Sequence, residues 1–159
     1  MTETLLPLTD RQRFTVWSEE RARYGDTDRQ GHVNNAVFAT FCETGRVELF
    51  HSQDTPFAPP GTEFVIARLT LDFRAEILWR ERIAIGTVVL GLGRSSFTLG
   101  QGLFRGDVCV ATAESILVLM DLETRRATPL PPRLRARLAT LACPPLAEAA
   151  AVGGAEKIQ

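Results

Sequence analysis

The stretch YGDTDRQGHVNNAVFATFCETGRVELF, residues 24–50, joins a polar, glycine-containing loop to an apolar pattern of helical period. The loop holds two aspartates, one of the chain's two histidines, two glycines and an Asn–Asn pair. Apolar side chains then recur every three or four residues, which predicts a helix over Val33–Phe50. Because the first N–H groups of a helix have no partner within it, a carboxylate beside this terminus could act on a bound carbonyl. The stretch is therefore a candidate active site.

The predicted helix has one apolar face and a cap residue, Asn34, whose side chain can accept a hydrogen bond from the first amides. Thr40, Glu43 and Arg46 lie off the apolar face. Gly45 lies on this face, although glycine lowers the stability of a helix by about 1 kcal/mol relative to alanine. Close approach of a packed sheet would explain a glycine at this position. The residues predicted to face the core are Phe38, Phe41, Cys42, Gly45 and Leu49.

After a proline-rich loop over Ser52–Thr62, the apolar period changes from about four to two, which is typical of strands. The first strand is predicted over Val65–Phe73, and its inward side chains would be Val65, Ala67, Leu69, Leu71 and Phe73. Further strands are predicted over Arg82–Leu90, Ser95–Phe104 and Val108–Met120, and an earlier one within Arg13–Tyr24. Gly106–Asp107 is a two-residue hairpin signal. Arg125–Leu141 predicts a turn followed by a short basic helix.

This order, a strand, a long helix and four antiparallel strands, predicts an α+β domain. One helix can cover the apolar face of a five-stranded sheet only if the sheet curls around it. We expect residues 1–12 to form a flexible leader, 13–141 a single domain, and 142–159 a flexible tail. An exposed edge strand would invite pairing with a second copy.

The composition excludes several classes of function. At 159 residues, with 45% hydrophobic residues and a net charge of −1, the chain gives no global argument for nucleic acid or membrane binding. It has no apolar run near the length of a transmembrane helix, and its N-terminus lacks a secretory signal pattern. Three cysteines without framework spacing predict reduced thiols and a cytoplasmic location. Two distant histidines predict no metal site.

The motif YGDTDRQGHVNN and the helix after it resemble the opening of hot-dog-fold acyl-CoA thioesterases of the 4-hydroxybenzoyl-CoA thioesterase-like group. The likeness covers about residues 13–140 and extends to the closing TRRATPLPPRLRARL. It implies a curved antiparallel sheet wrapped around one long central helix, and hydrolysis of an acyl-CoA with no cofactor besides the substrate's own coenzyme A. It also implies a homodimer or homotetramer with active sites where protomers meet.

The resemblance also assigns roles to individual residues. Asp28 matches the family's catalytic carboxylate, and the backbone N–H of Asn35 matches the amide that polarises the thioester carbonyl. His32 is a third catalytic candidate: some members carry a histidine or tyrosine at the position of Asn35, and in this chain the histidine lies three residues earlier, where it could donate to the substrate, orient the loop or cap the helix. The candidate substrate-binding residues are Tyr24, Gly31 and Asn34 in the loop, and Arg94, Ser95 and Ser96, which match a segment that contacts the nucleotide of coenzyme A.

Other interpretations of these residues remain open at this level. Asp28 could be an ordinary turn residue, and Asp26 is predicted to order the loop rather than to react. Glu43 is a rival catalytic carboxylate, since other hot-dog branches use one from the helix. Asp28 with His32 could serve an enoyl-thioester hydratase or dehydratase, and a non-catalytic acyl-CoA or acyl-carrier-protein binding module is the remaining alternative. The sequence does not identify the acyl group of the substrate. It also does not decide whether Asp28 acts as a general base or as a nucleophile.

Overall fold

A computed structural model describes residues 5–51 and 55–143. Residues 1–4, 52–54 and 144–159 lie outside the described part, and with them most of the predicted tail, the start of the leader and part of the proline-rich loop. The elements, in chain order, are β1 Val16–Arg21, α1 Asn35–His51, β2 Thr62–Phe73, β3 Arg82–Leu92, β4 Ser96–Arg105, β5 Val108–Asp121 and α2 Pro132–Ala139. Short 3-10 turns occupy Arg11–Arg13 and Tyr24–Asp26.

The five strands form one antiparallel sheet in the order β1-β3-β4-β5-β2. The sheet curves around α1, which packs mainly against β1 and β3. This confirms the predicted α+β architecture. The two-residue hairpin is confirmed as well, since Arg105 pairs with Val108 and Gly106 adopts a φ of 58°. The edges of the sheet are β1 and β2.

The inner face of α1 contains the five residues predicted for it, all buried. The side-chain amide of Gln101 in β4 donates a 2.9 Å hydrogen bond to the backbone carbonyl of Cys42, which fastens the helix to the sheet. Gly45 makes the close approach possible, because a Cβ there would lie 2.5 Å from Gln101 Nε2 and 2.7 Å from Ile85 Cγ2. Arg46 departs from the prediction: it is only 8% exposed, although the pattern placed it off the buried face.

The helix begins at Asn35, two residues later than predicted. Val33 was assigned to the helix because it is apolar. It is indeed buried, but its backbone is not helical. It pairs with Thr27 across a small hairpin, and its N–H donates to the carbonyl of Ile77 at 2.8 Å. An extended backbone at Val33 therefore ties the loop to the connection between β2 and β3.

The predicted alternation along β2 is interrupted by a β-bulge at Ala67. On the N-terminal side of the bulge, Phe64 lies opposite buried Leu119, so the even-numbered side chains face the helix. On its C-terminal side, Leu71 lies opposite buried Ala113, so the odd-numbered side chains do. Assigning Val65 to the inner face was therefore wrong, because one extra residue reverses the side-chain alternation.

The outer face of the sheet is covered in part by the segment before β1. Phe14 is buried against β3 and β4, where Gly86 and Gly102 lack the side chains that would occupy its place. A Cβ on Gly86 would lie 2.4 Å from Phe14 Cγ, and one on Gly102 would lie 2.6 Å from Phe14 Cζ. Leu8 packs in the same cluster, so residues of the N-terminal segment form part of the apolar interior on this side.

Candidate active site

The loop that precedes α1 is organised around Asp26, whose side chain is buried. Its Oδ2 accepts a hydrogen bond from the backbone N–H of Arg23 at 2.8 Å, and its Oδ1 accepts one from Arg23 Nη2 at 2.9 Å. Burial alone would raise the pKa of Asp26, but the hydrogen bonds and positive charge of Arg23 outweigh it and hold the pKa below its usual value. This is the loop-ordering role predicted for Asp26.

Asp28 lies in a tight hairpin that spans residues 27–33. Its backbone N–H donates to the carbonyl of His32 at 2.8 Å, and its carbonyl accepts from the N–H of Gly31 at 3.0 Å. Gly31 has a φ of 82°, the left-handed conformation that closes a three-residue hairpin loop. One carboxylate oxygen, Oδ1, accepts from the N–H of Gln30 at 2.8 Å. The side chain is thus oriented by its own turn and stays exposed to solvent.

The start of α1 lies beside this hairpin. Asn34 donates its backbone N–H to the carbonyl of Asp26 at 2.8 Å, and its Oδ1 accepts from the N–H of Ala36 at 2.9 Å, which confirms it as the N-cap. Its carbonyl accepts from Val37 at 2.9 Å. Of the first three helical amides, those of Ala36 and Val37 are therefore hydrogen-bonded to Asn34. The amide of Asn35 has no acceptor among the described residues.

His32 joins the loop to the connection between β2 and β3. Its Nε2 lies 2.8 Å from Oε2 of Glu76, and both side chains are partly exposed. His32 also forms a β-bridge with Leu78, next to the hydrogen bond that Val33 makes to the same segment. Glu76 is held in turn through its backbone carbonyl, which accepts from Arg105 Nη1 at 2.8 Å. The imidazole is thus fixed at the edge of the loop, bonded to a carboxylate.

Tyr24 begins the loop and is 75% exposed. Its ring meets the ring of Trp79 edge to face, with centroids 5.6 Å apart, and the guanidinium of Arg80 lies 4.2 Å from the centroid of Trp79 on the same connection. Arg80 has a φ of 71°, which is uncommon for a residue other than glycine. Tyr24 therefore belongs to an exposed aromatic surface next to the hairpin of Asp28, and its role in substrate binding stays a prediction.

The structure places the candidate residues Arg94, Ser95 and Ser96 far from the loop that precedes α1. The active-site loop adjoins the Arg82 end of β3, where Ala22 donates to the carbonyl of Glu81 at 2.9 Å. The Arg94–Ser96 turn follows the opposite end of β3, 11 residues and about 33 Å away along the strand. Within one chain the structure does not bring these residues to Asp28. Their contact with coenzyme A stays a prediction, and a shared site would need a second copy.

Glu43, the rival carboxylate, is exposed on α1. It follows Asn35 by eight residues, which is about 12 Å along the helix. No group of three or more metal-ligating side chains occurs within residues 5–51 and 55–143. Among the described residues, Asp28 is the exposed carboxylate that lies nearest in sequence to the start of α1.

Sequence reasoning missed two features of this region, the contact of Glu76 with His32 and the packing of Arg80 and Tyr24 on Trp79. Both come from the connection between β2 and β3, more than forty residues after the loop that they contact. No local period marks such residues, because their role arises from the β-bridge between His32 and Leu78. The one available signal was a tryptophan next to an arginine at a predicted strand break.

With this geometry in place, comparison with known proteins identifies the family. Residues 22–138 match the family model described as the Thioesterase-like superfamily. The chain belongs to this superfamily. It is a thioester hydrolase with a hot-dog fold, which confirms the resemblance seen in the motif before α1. No helix among the described residues is long and apolar enough to cross a membrane.

Individual relatives agree with this assignment. The chain is 29% identical over 118 residues to a 1,4-dihydroxy-2-naphthoyl-CoA hydrolase of Synechococcus elongatus, covering 71% of this chain and 87% of that protein. It is similar to a Thermus thermophilus thioesterase crystallised with coenzyme A and Zn, with 32% identity, a TM-score of 0.70, and coverage of 81% and 95%. The PA5185 protein of Pseudomonas aeruginosa shares the fold, at 24% identity and a TM-score of 0.75, with coverage of 83% and 94%.

Proposed function

We propose that this thioester hydrolase cleaves an acyl-CoA to a free acid and coenzyme A, with Asp28 as the reacting carboxylate and the Asn35 N–H as the donor to the oxyanion. The observation that supports the proposal is one ladder of hydrogen bonds, between Asp26 and Asn34 and between Asp28 and His32, which joins the hairpin of the exposed Asp28 to the start of α1, where the Asn35 N–H has no acceptor among the described residues. The names of the Synechococcus and Thermus relatives support acyl-CoA as the substrate class.

Both chemical routes use the same two groups. As a base, Asp28 takes a proton from water while the water oxygen adds to the thioester carbonyl, and the thiolate of coenzyme A leaves as the C–S bond breaks. As a nucleophile, Asp28 adds to the carbonyl itself, expels the thiolate and forms an anhydride that water hydrolyses. In either case negative charge develops on the carbonyl oxygen, where a helix N-terminus stabilises it.

His32 has a supporting part in this proposal. Its imidazole is bonded to Glu76, so it can hold the loop and present a polar group at the rim of the site. The reaction consumes only water and needs no cofactor. We also propose that the protein is a homo-oligomer whose second copy completes the site, because Asp28, Tyr24 and the helix start are all exposed in one chain.

The test is release of free thiol from a panel of short, long and aromatic acyl-CoAs, with the unmodified protein and Asp28→Asn side by side. We expect turnover on at least one substrate and a loss of about 10²- to 10⁴-fold in kcat for Asp28→Asn. The matched control is Asp107→Asn, which makes the same chemical change in the exposed hairpin turn between β4 and β5.

Three results would count against the proposal. If Asp28→Asn retains activity while Glu43→Gln loses it, the reacting carboxylate is on the helix. If acyl-CoAs bind tightly without thiol release, the protein is a binding module. If an enoyl-CoA gains water with its thioester intact, the protein is a hydratase, the function that Asp28 and His32 would otherwise serve.

A further inference from the structure

Both ends of the loop that carries Asp28 are hydrogen-bonded to one other segment, the connection between β2 and β3. At the start of the loop, the backbone N–H of Ala22 donates to the carbonyl of Glu81 at 2.9 Å. At its end, the N–H of Val33 donates to the carbonyl of Ile77 at 2.8 Å. Ala22, Val33 and Ile77 are all buried, so these contacts lie in the interior of the chain. The position of the loop therefore depends on the shape of the connection.

The connection makes a tight turn over residues 78–81, and Glu81 closes this turn twice. Its backbone N–H donates to the carbonyl of Leu78 at 3.2 Å, and its side-chain Oε2 accepts from the N–H of Leu78 at 2.7 Å. Arg105 Nη1, at the end of β4, lies 3.6 Å from the same carboxylate oxygen and donates to the carbonyl of Glu76 at 2.8 Å. One carboxylate thus joins the two ends of the turn, and one arginine ties the connection to the sheet.

Arg80, the third residue of this turn, has an unfavourable backbone conformation. Its φ is 71°, in the left-handed region that glycine normally occupies at this position of a turn. Other residues stay there only where several surrounding contacts fix the backbone. Here those contacts are the two bonds between Glu81 and Leu78, and a 3.2 Å bond from the Arg80 N–H to the carbonyl of Ala22. The turn is therefore held in a shape that its own sequence does not favour.

We infer that Glu81 is a positioning residue for the thioesterase reaction: its carboxylate fixes the 78–81 turn, and the turn sets the place of Asp28 relative to the start of α1. The inference rests on the proposed function, because Asp28 is the group that is positioned. In this role Glu81 acts through backbone hydrogen bonds and does not touch the substrate. It requires no free surface, since every contact that supports it lies within one chain.

The hydrogen bond of Glu81, rather than its charge, is the main part of this role. The 3.6 Å separation from Arg105 is longer than a hydrogen bond, and both side chains are partly exposed, so solvent weakens their attraction. The 2.7 Å bond from the Leu78 N–H needs only an acceptor oxygen, which a glutamine side chain also has. Glu81→Gln should therefore keep the turn, whereas Glu81→Ala removes the acceptor.

The experiment is thiol release from the acyl-CoA of the panel that the unmodified protein turns over fastest. We expect Glu81→Ala to lower kcat about 10- to 100-fold with KM within about threefold, because a reacting group misplaced by about 1 Å can cost 10²-fold. Glu81→Gln should retain kcat within about threefold. The matched control is Glu19→Ala, which makes the same change at a glutamate that pairs with Arg82 at 2.6 Å, and should leave kcat unchanged.

Two further measurements separate positioning from a general loss of stability. If Glu81 acts through Asp28, Glu81→Ala should lower the residual kcat of Asp28→Asn by less than about threefold, because the group that it positions is already gone. Histidine NMR needs no turnover, since the chain has two histidines, His32 in the loop and His51 at the end of α1. Glu81→Ala should shift the imidazole signals of His32, which forms a β-bridge with Leu78, and leave those of His51 unchanged.

Three outcomes would overturn the inference, and they differ in what they say about the proposed function. Full activity of Glu81→Ala, when Asp28→Asn is inactive in the same assay, would leave the proposed function standing. An equal loss from Glu81→Ala with and without the Asp28 carboxylate, with the His32 signals unchanged, would mean that Glu81 contributes only to stability. Full activity of Asp28→Asn would overturn the proposed function itself, and the role of Glu81 with it.

Discussion

The backbone N–H of Asn35 can be removed without removing the helix that carries it. Proline is favoured at the first position of a helix, because the N–H lost there has no intrahelical partner. Asn35→Pro should therefore leave α1 intact and delete only the proposed oxyanion donor. We expect kcat to fall about 10²- to 10³-fold, the loss found on removing one such donor elsewhere.

The control for this variant is Asn35→Ala, which deletes the side chain and keeps the N–H. It should retain kcat within about threefold, with circular dichroism showing equal helix content in both variants. If Asn35→Ala loses as much activity as Asn35→Pro, the side chain is the reacting group and the backbone role is wrong.

The carboxylate of Asp26 should make the stability of the loop depend on pH. Its pKa is held below the usual value of about 4 in the folded protein, so folding favours the ionised form. That stabilisation is present above the unfolded pKa and disappears as the pH falls through the folded pKa. Urea unfolding should show Asp26→Asn to be less stable by about 1 to 3 kcal/mol at pH 7.

The difference between the two proteins should disappear below the folded pKa, where Asp26 is protonated in both states. The comparison is made from pH 2.5 to pH 7 at constant ionic strength, with Asp107→Asn as the control for a general charge effect. A difference that stays constant over this range would show that the lost contact is not ionic.

The residues around Asp26 and His32 show what local sequence can and cannot predict about the site. Asp26, Asp28 and Asn34 lie within nine residues, and the turn and cap chemistry of Asp and Asn is enough to predict the roles of Asp26 and Asn34. Glu76 contacts His32 only because the connection between β2 and β3 pairs with the loop before α1. A pairing of that kind leaves no mark in the local pattern.

At the level of elements, the fit of α1 on the sheet depends on Gly45. Alanine has the higher helix propensity by about 1 kcal/mol, so Gly45→Ala would stabilise an isolated helix. Here the added Cβ would meet Gln101 Nε2 at 2.5 Å and Ile85 Cγ2 at 2.7 Å. We expect a net loss of about 1 to 3 kcal/mol, measured by urea unfolding, since overpacking forces side chains or backbone to move.

Gly25 provides the matched control, because a Cβ there would have no neighbour within 4 Å. Gly25→Ala should change the free energy of unfolding by less than about 0.5 kcal/mol. Equal stability of Gly45→Ala and the unmodified protein would mean that the helix can shift away from β4 without cost.

The differences between the predicted and the observed elements share one physical origin. The apolar period located α1 and the strands β2 to β5, whereas β1 was placed only within the broader range Arg13–Tyr24. It failed at Val33, which is buried through an extended backbone, and at Ala67, where a bulge reverses the alternation along β2. Hydrophobic periodicity reports which side chains are buried, but it does not report the hydrogen bonds that end a helix or insert a residue in a strand.

At the level of the whole molecule, the edge strand β2 has exposed apolar side chains, including Ile66 at 49% and Phe73 at 51%. Long edge strands with apolar side chains pair readily with other strands. The candidate site is also open in a single chain, and Arg94–Ser96 lie at the opposite end of the sheet from Asp28. A second copy paired along β2 would account for the exposed apolar side chains, and a second copy could bring its Arg94–Ser96 turn to the Asp28 of the first.

We therefore expect the protein to be a dimer or larger by light scattering after size exclusion, and Ile66→Lys to shift its mass toward the monomer. The matched control is Val108→Lys: Val108 is 47% exposed, close to the value for Ile66, but lies at the β4–β5 hairpin. It should leave the mass unchanged. Because the second copy is proposed to complete the site, thiol release should fall with the dimer fraction as the protein is diluted. A folded Ile66→Lys monomer with full activity would show that one chain holds the whole site.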